Sequence, residues 1–113
     1  MIEPGDYNFT IHQGATFGLE LQYKDGDSNP VNMTGFSVEA KLSNRLRSSA
    51  MATFQITFVD TALGKFKIGL TAAQTAAITE EGQYDVLITE PAGTKYYILQ
   101  GRVFVDFGVT GVL

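Results

Sequence analysis

The sequence predicts an all-β protein, an antiparallel β-sandwich of about seven strands, and three observations predict it. Apolar and polar residues alternate with period two in one short run after another. Clusters of Gly, Pro, Asn, Asp and Ser separate those runs every ~8–12 residues, the spacing of strands joined by tight connections. A single alanine-rich stretch, "LTAAQTAAI", breaks the alternation.

Taken in order, Tyr7, Phe9 and Ile11 alternate with Asn8, Thr10 and His12, and Phe17, Leu19, Leu21 and Tyr23 follow after the turn "QGA". The loop "KDGDSNP" then leads to Phe36, Val38, Ala40 and Leu42. Residues 42–52, "LSNRLRSSAMA", read either as a polar loop or as an irregular hairpin tip carrying Arg45 and Arg47. Phe54, Ile56 and Phe58 form the next strand, "DTALGK" turns the chain, and Phe66, Ile68 and Leu70 alternate again. Beyond the alanine-rich stretch come Tyr84, Val86 and Ile88, the turn "EPAGTK", and a long apolar run over residues 95–107. Gly101 is expected to bend that run into two strands, because glycine inside a strand marks a bulge or bend.

The alanine-rich stretch has a local explanation. Thr71 followed three residues later by Gln74 is a capping-box pattern, and alanine is the best helix former. One short helical turn at 72–78 is expected, too short to stand without tertiary support. Ile78 is placed to plug the end of a sandwich, and "EEG" turns the chain into the strand carrying Tyr84. A helical turn, an acidic residue, a Gly and then a Tyr form the sheet-to-sheet corner of immunoglobulin-like sandwiches, where the Tyr hydroxyl bonds to upstream backbone. Thr71, Gln74, Ile78 and Tyr84 are therefore the expected structural corner. The Tyr84 hydroxyl is expected to donate to a carbonyl within residues 71–81.

The 113 residues suit one domain spanning residues 1–113, with 44% hydrophobic and 18% charged residues, a globular balance. The absence of cysteine excludes disulfides, thiolate catalysis and cysteine-ligated zinc. A net charge of −4 without a basic run argues against a nucleic-acid partner, which needs clustered Lys and Arg. No apolar run approaches the roughly 18 residues of a membrane span. The acidic start "MIEPGDYNFT" lacks the basic and apolar regions of a secretion signal. Action in the cytoplasm, or exit by a route without such a signal, is the expectation.

Candidate chemistry is sparse. "DGDSN" has the spacing that opens a calcium loop, but Pro30 stands where glycine is needed and Phe36 where the last carboxylate belongs. A polar hairpin loop is the better reading. His12 is the single histidine, so no common catalytic zinc set can be assembled. Glycosylation patterns occur at Asn8 and Asn32, and Glu80 and Glu81 are adjacent carboxylates in a turn, without a further partner in the pattern. No nucleophile–base pair stands out, so no cofactor and no enzymatic activity are expected.

The motifs "IHQGATF" at residues 11–17, "PVNMTG" at 30–35, "LTAAQTAAI" at 70–78 and "LQGRVFV" at 99–105 occur in an order that resembles a family of small tailed-bacteriophage virion proteins. The chain is also similar in style to the N-terminal domains of upper baseplate proteins of lactococcal phages, and to structural proteins of cyanophages. Met33 stands where the family's turn has Leu. With no receptor-binding or fibre segment up to residue 113, the position on the particle stays open among tail, baseplate, neck and capsid decoration. The resemblance implies a non-enzymatic virion structural protein, assembled in the host bacterial cytoplasm. Its implied partners are other virion proteins or copies of itself, in a homo-oligomer within the particle.

The alternative is a host-surface adhesion or carbohydrate-binding module, for which Tyr96 and Tyr97 supply the aromatic faces. Partner contact is expected at the uncharged end of the chain, "FGVTGVL", through Phe107, Val109, Val112 and Leu113. The same residues also read as a last strand with a loose end. The loop with Arg45 and Arg47 is the next candidate.

Overall fold

Alternation in the sequence becomes alternation of burial in the structure. The computed structural model describes residues 5–44, 50–78 and 80–107. Among them run strands β1 (Gly5–Asp6), β2 (Phe9–His12), β3 (Phe17–Gln22), β4 (Ser37–Asn44), β5 (Ala50–Thr53) and β6 (Gln55–Asp60). After these come β7 (Lys65–Leu70), helix α1 (Ala72–Ala76), β8 (Gly82–Thr89) and β9 (Lys95–Asp106). Alternate residues of β4 and β8 point inward: Val38, Ala40 and Leu42, and Tyr84, Val86 and Ile88. From the facing sheet Phe66, Ile68 and Leu70 of β7 meet them in one core. Each Val, Leu, Ile and Phe among them contributes roughly 1.5–3 kcal/mol by leaving water.

One sheet has the order β1-β9-β8-β4-β5, with β2 also on β9, and the other the order β3-β7-β6. The pairing of β3-β7-β6 against β9-β8-β4 is the strand order of an immunoglobulin-type sandwich. Because β4 and β8 are antiparallel, the segments that precede them lie at opposite ends of the sandwich. Met33 closes one end and Ile78 the other, and both are buried. At the Met33 end, Asp60 caps a 3-10 turn at Thr61–Leu63 that ends on Gly64 with φ +67°. Thr61 accepts a hydrogen bond from the Met33 amide, which ties that turn to the loop below it.

Three details depart from the sequence expectation. Nine strands form among the described residues, since the N-terminal run is broken at Tyr7–Asn8 and the hairpin after β4 supplies β5. The sandwich is not wholly antiparallel: β1 and β2 pair with β9 in parallel, Gly5 opposite Leu99 and Phe9 opposite Val103. The chain leaves β2 for the other sheet rather than for a hairpin partner, so no tight turn imposes an antiparallel direction. Nor does Gly101 divide the last run, because β9 continues through it for 12 residues. The irregularity falls instead at Ile98, an extra residue between Tyr97 opposite Leu87 and Leu99 opposite Val86. Gly101 answers a different need, since a side chain there would collide with the Tyr7 carbonyl.

Candidate functional site

The expected corner forms, with one different partner. Thr71 accepts from the Gln74 amide at 3.2 Å, and the Gln74 side chain accepts from the Thr71 amide at 2.9 Å, a complete capping box. Tyr84 is buried, but its hydroxyl donates at 2.6 Å to the Tyr7 carbonyl rather than to residues 71–81. The reason lies in the break between β1 and β2. Where the ladder is interrupted, the Tyr7 carbonyl turns to Tyr84, and the Asn8 side chain takes over the Arg102 amide at 2.8 Å. Gly101, opposite Tyr84 on β9, leaves the room for that carbonyl. Burial pushes the Tyr84 hydroxyl pKa well up, with Tyr7 and Asp6 adding to it.

Two residues that sequence reasoning passed over fix the corner to the opposite loop. The Gln13 side-chain amide, through Nε2, donates to the carbonyls of Ala76 and Ile78 at 3.3 and 3.0 Å, satisfying groups that the end of α1 leaves open. The buried Thr75 hydroxyl donates to the Ala15 carbonyl at 2.8 Å and accepts from the Gly14 amide at 3.1 Å. "IHQGATF" and "LTAAQTAAI" thus meet in space, one supplying partners to the other. Their signal in the sequence was a long amide before Gly14 and a hydroxyl inside an alanine run. Around this end Phe9, Phe17, Phe54 and Tyr84 form an aromatic cluster, with Phe9 and Phe17 stacked at 4.8 Å between ring centres and Phe9 and Tyr84 tilted to one another at 4.6 Å.

The polar candidates are occupied by their own surroundings. One Asp25 carboxylate oxygen accepts from the amides of Asp27 and Asn29 at 2.9 and 3.0 Å, so the "DGDSN" loop is organised by its own backbone. His12 stands 3.2 Å from Asp106 at the surface, a pair set by the register of β2 on β9. Glu80 and Glu81 are exposed. Among the described residues no group of three His, Cys, Asp or Glu side chains converges on a possible metal position. No helix among them is long and apolar enough to cross a membrane.

Several large apolar side chains are also exposed among the described residues. Phe107 is 59% exposed just past the end of β9, while Val109, Val112 and Leu113 lie outside the described residues, as do Arg45 and Arg47. Tyr96 packs on the core and Tyr97 faces solvent, so the two tyrosines do not make one aromatic platform. A surface that the sequence reading missed lies on β6 and the turn after it, where Phe58, Val59 and Leu63 are 39%, 54% and 43% exposed. Among the described residues β6 is the last strand of its sheet, paired with β7 on one side.

A family model described as "LtfC-like, beta-sandwich domain" matches residues 3–106. Among curated proteins, none matches the chain.

Proposed function

From the premise that the chain belongs to the LtfC-like β-sandwich family, a phage tail fibre-associated family, we propose that it is a non-enzymatic structural protein of the virion, acting through protein–protein contacts. The observation that carries this reading is the family match over residues 3–106, which spans every described strand of the sandwich. The structure is consistent with it in kind: Phe58 and Val59 on an edge strand, and Phe107 just past β9, are large apolar side chains left exposed. Rigid sandwiches with uncovered edges suit assemblies in which neighbours complete one another.

In this reading the protein is made and assembled in the host bacterial cytoplasm and leaves on the particle, in the tail or baseplate. Its partners are copies of itself or adjacent virion proteins, reached in part through Phe107 and the residues beyond it. The adhesion alternative is weaker, since Tyr96 is engaged with the core. Peptide mass spectrometry of density-purified particles tests the proposal. Stoichiometric recovery with tail proteins is expected, and recovery solely from the soluble host fraction overturns it. A glycan array probed with the purified protein is expected to stay blank.

A further inference from the structure

We propose that β6 of one copy pairs with β6 of a second copy, antiparallel about a two-fold axis at Thr57, so that two three-stranded sheets join edge to edge. The proposal rests on the virion-module reading and names a contact through which copies join.

The edge is open in its backbone as well as in its side chains. The Tyr23 amide donates to the Gly64 carbonyl at 2.8 Å, just beyond the paired residues Gln22 and Lys65 of β3 and β7. Antiparallel strands bond to a given neighbour at every second residue. From Tyr23 that alternation gives bonds from Leu21 and Leu19 to Phe66 and Ile68, their partners in register. The backbone groups of Phe66 and Ile68 therefore face β3, and those of Phe58 and Ile56, opposite them on β6, point away from β7. On that flank β6 is the last strand among the described residues. The side chains of Ile56 and Phe58 lie on the inward face of the sheet, yet Phe58 keeps 39% of its surface exposed. Residues 50–59 carry no charge and no Pro, the features that ordinarily discourage edge pairing.

The strand matches itself. Ile56 and Phe58 flank Thr57 symmetrically, so an axis at Thr57 sets Ile56 of each copy opposite Phe58 of the other. Both are inward residues with free backbone groups, and each such pair can exchange both of its N–H···O bonds. The apolar side chains then close the inner flank of both sandwiches. Thr57 meets Thr57 on the solvent face, a favourable cross-strand pair.

Charge selects this arrangement. Asp60 is the one charged residue of β6. In-register parallel pairing would set Asp60 against Asp60 at about 4.8 Å, and an axis at Phe58 would set it against Ile56. About Thr57 the two Asp60 side chains stand about 20 Å apart along the strands, well beyond a Debye length. Lys67, opposite Thr57 on β7, lies over Gly18 of β3, where an added Cβ would meet its side chain, so its charge leans away from the axis. Free backbone groups, apolar side chains and the single charge all obey one two-fold, as a self-complementary contact requires.

A disulfide reads the axis directly, because the chain has no cysteine of its own. The exposed Thr57 faces its copy as a non-hydrogen-bonded pair with Cα atoms about 4.5 Å apart, within disulfide reach. Gln55, exposed on the same face, stands about 14 Å from its copy, beyond that reach. By light scattering the full chain is expected to be dimeric, as are reduced Thr57→Cys and Gln55→Cys. On mild oxidation Thr57→Cys is expected to convert to a disulfide-linked dimer, and Gln55→Cys to stay unlinked. Phe58→Lys is expected to be monomeric, with the exposed Thr57→Lys as a second version in case Phe58→Lys lowers folding. A monomeric full chain, a dimer that survives both lysine variants, or Gln55→Cys linking as readily as Thr57→Cys overturns the contact. A monomeric full chain that is nonetheless recovered in particles overturns the contact and leaves the virion reading standing. A Thr57→Cys-linked dimer from a protein absent from particles does the reverse.

Discussion

The Tyr84 hydroxyl and the Tyr7 carbonyl, 77 residues apart in sequence, are joined by a 2.6 Å hydrogen bond. That bond fastens the N-terminal strands to the sheet at the one place where their ladder on β9 is broken. Tyr84→Phe is expected to lower stability by about 1–2 kcal/mol, the loss of one buried bond with its acceptor left unpaired. Urea unfolding of the two proteins, read as a shift in midpoint at constant slope, measures it.

The same hydroxyl gives a signature at high pH. Its folded pKa is raised by burial above the ordinary tyrosine value of ~10. The folded state therefore holds the proton more tightly than the unfolded state, and this contribution to stability is complete below pH ~10. It is lost as pH rises beyond that value. Wild-type stability is expected to fall more steeply above pH ~10 than that of Tyr84→Phe, in matched denaturation series.

Gly101 and Tyr84 act on one carbonyl, so their substitutions should not add. Gly101→Ala pushes a methyl group into the Tyr7 carbonyl and is expected to cost about 1–3 kcal/mol. Once that carbonyl is displaced, the Tyr84 bond is already gone. The double variant is expected to fall short of the sum of the singles by about 0.5 kcal/mol or more, in a double-mutant cycle.

The corner depends on its distant loop more than on its own cap. Thr75→Val keeps the shape but leaves the Gly14 amide and the Ala15 carbonyl without their buried partner, at about 1–3 kcal/mol. Thr71→Ala removes an exposed N-cap, at about 1 kcal/mol. Equal losses, or the reverse order in thermal unfolding, would show that Thr75 does not hold the two motifs together.

These contrasts show which parts of the fold could be read from the chain. The Thr71–Gln74 box and the inward sets of β4, β7 and β8 follow from spacings of two or three residues, so local rules capture them. The partner of Tyr84 does not. It depends on Gly101 opposite, on the break at Tyr7–Asn8 and on the parallel register of β2, none of which is a local pattern. For the same reason Gln13 and Thr75 looked like ordinary turn and helix residues until the fold placed them together. The candidate contact surface was half legible: Phe107 stood out as the start of an uncharged apolar end, whereas "QITFVD" reads like any strand. Its exposed edge comes from being last in the sheet, which sheet order alone decides.

The central claim is that this sandwich is a built-in part of a phage particle, and a tail reconstruction by cryo-electron microscopy tests it most directly. The account predicts density into which the two sheets fit as a rigid body, repeated by the symmetry of the tail and in contact with neighbouring subunits. A fully assigned tail and baseplate, at a resolution that separates strands and with no such density, would contradict it.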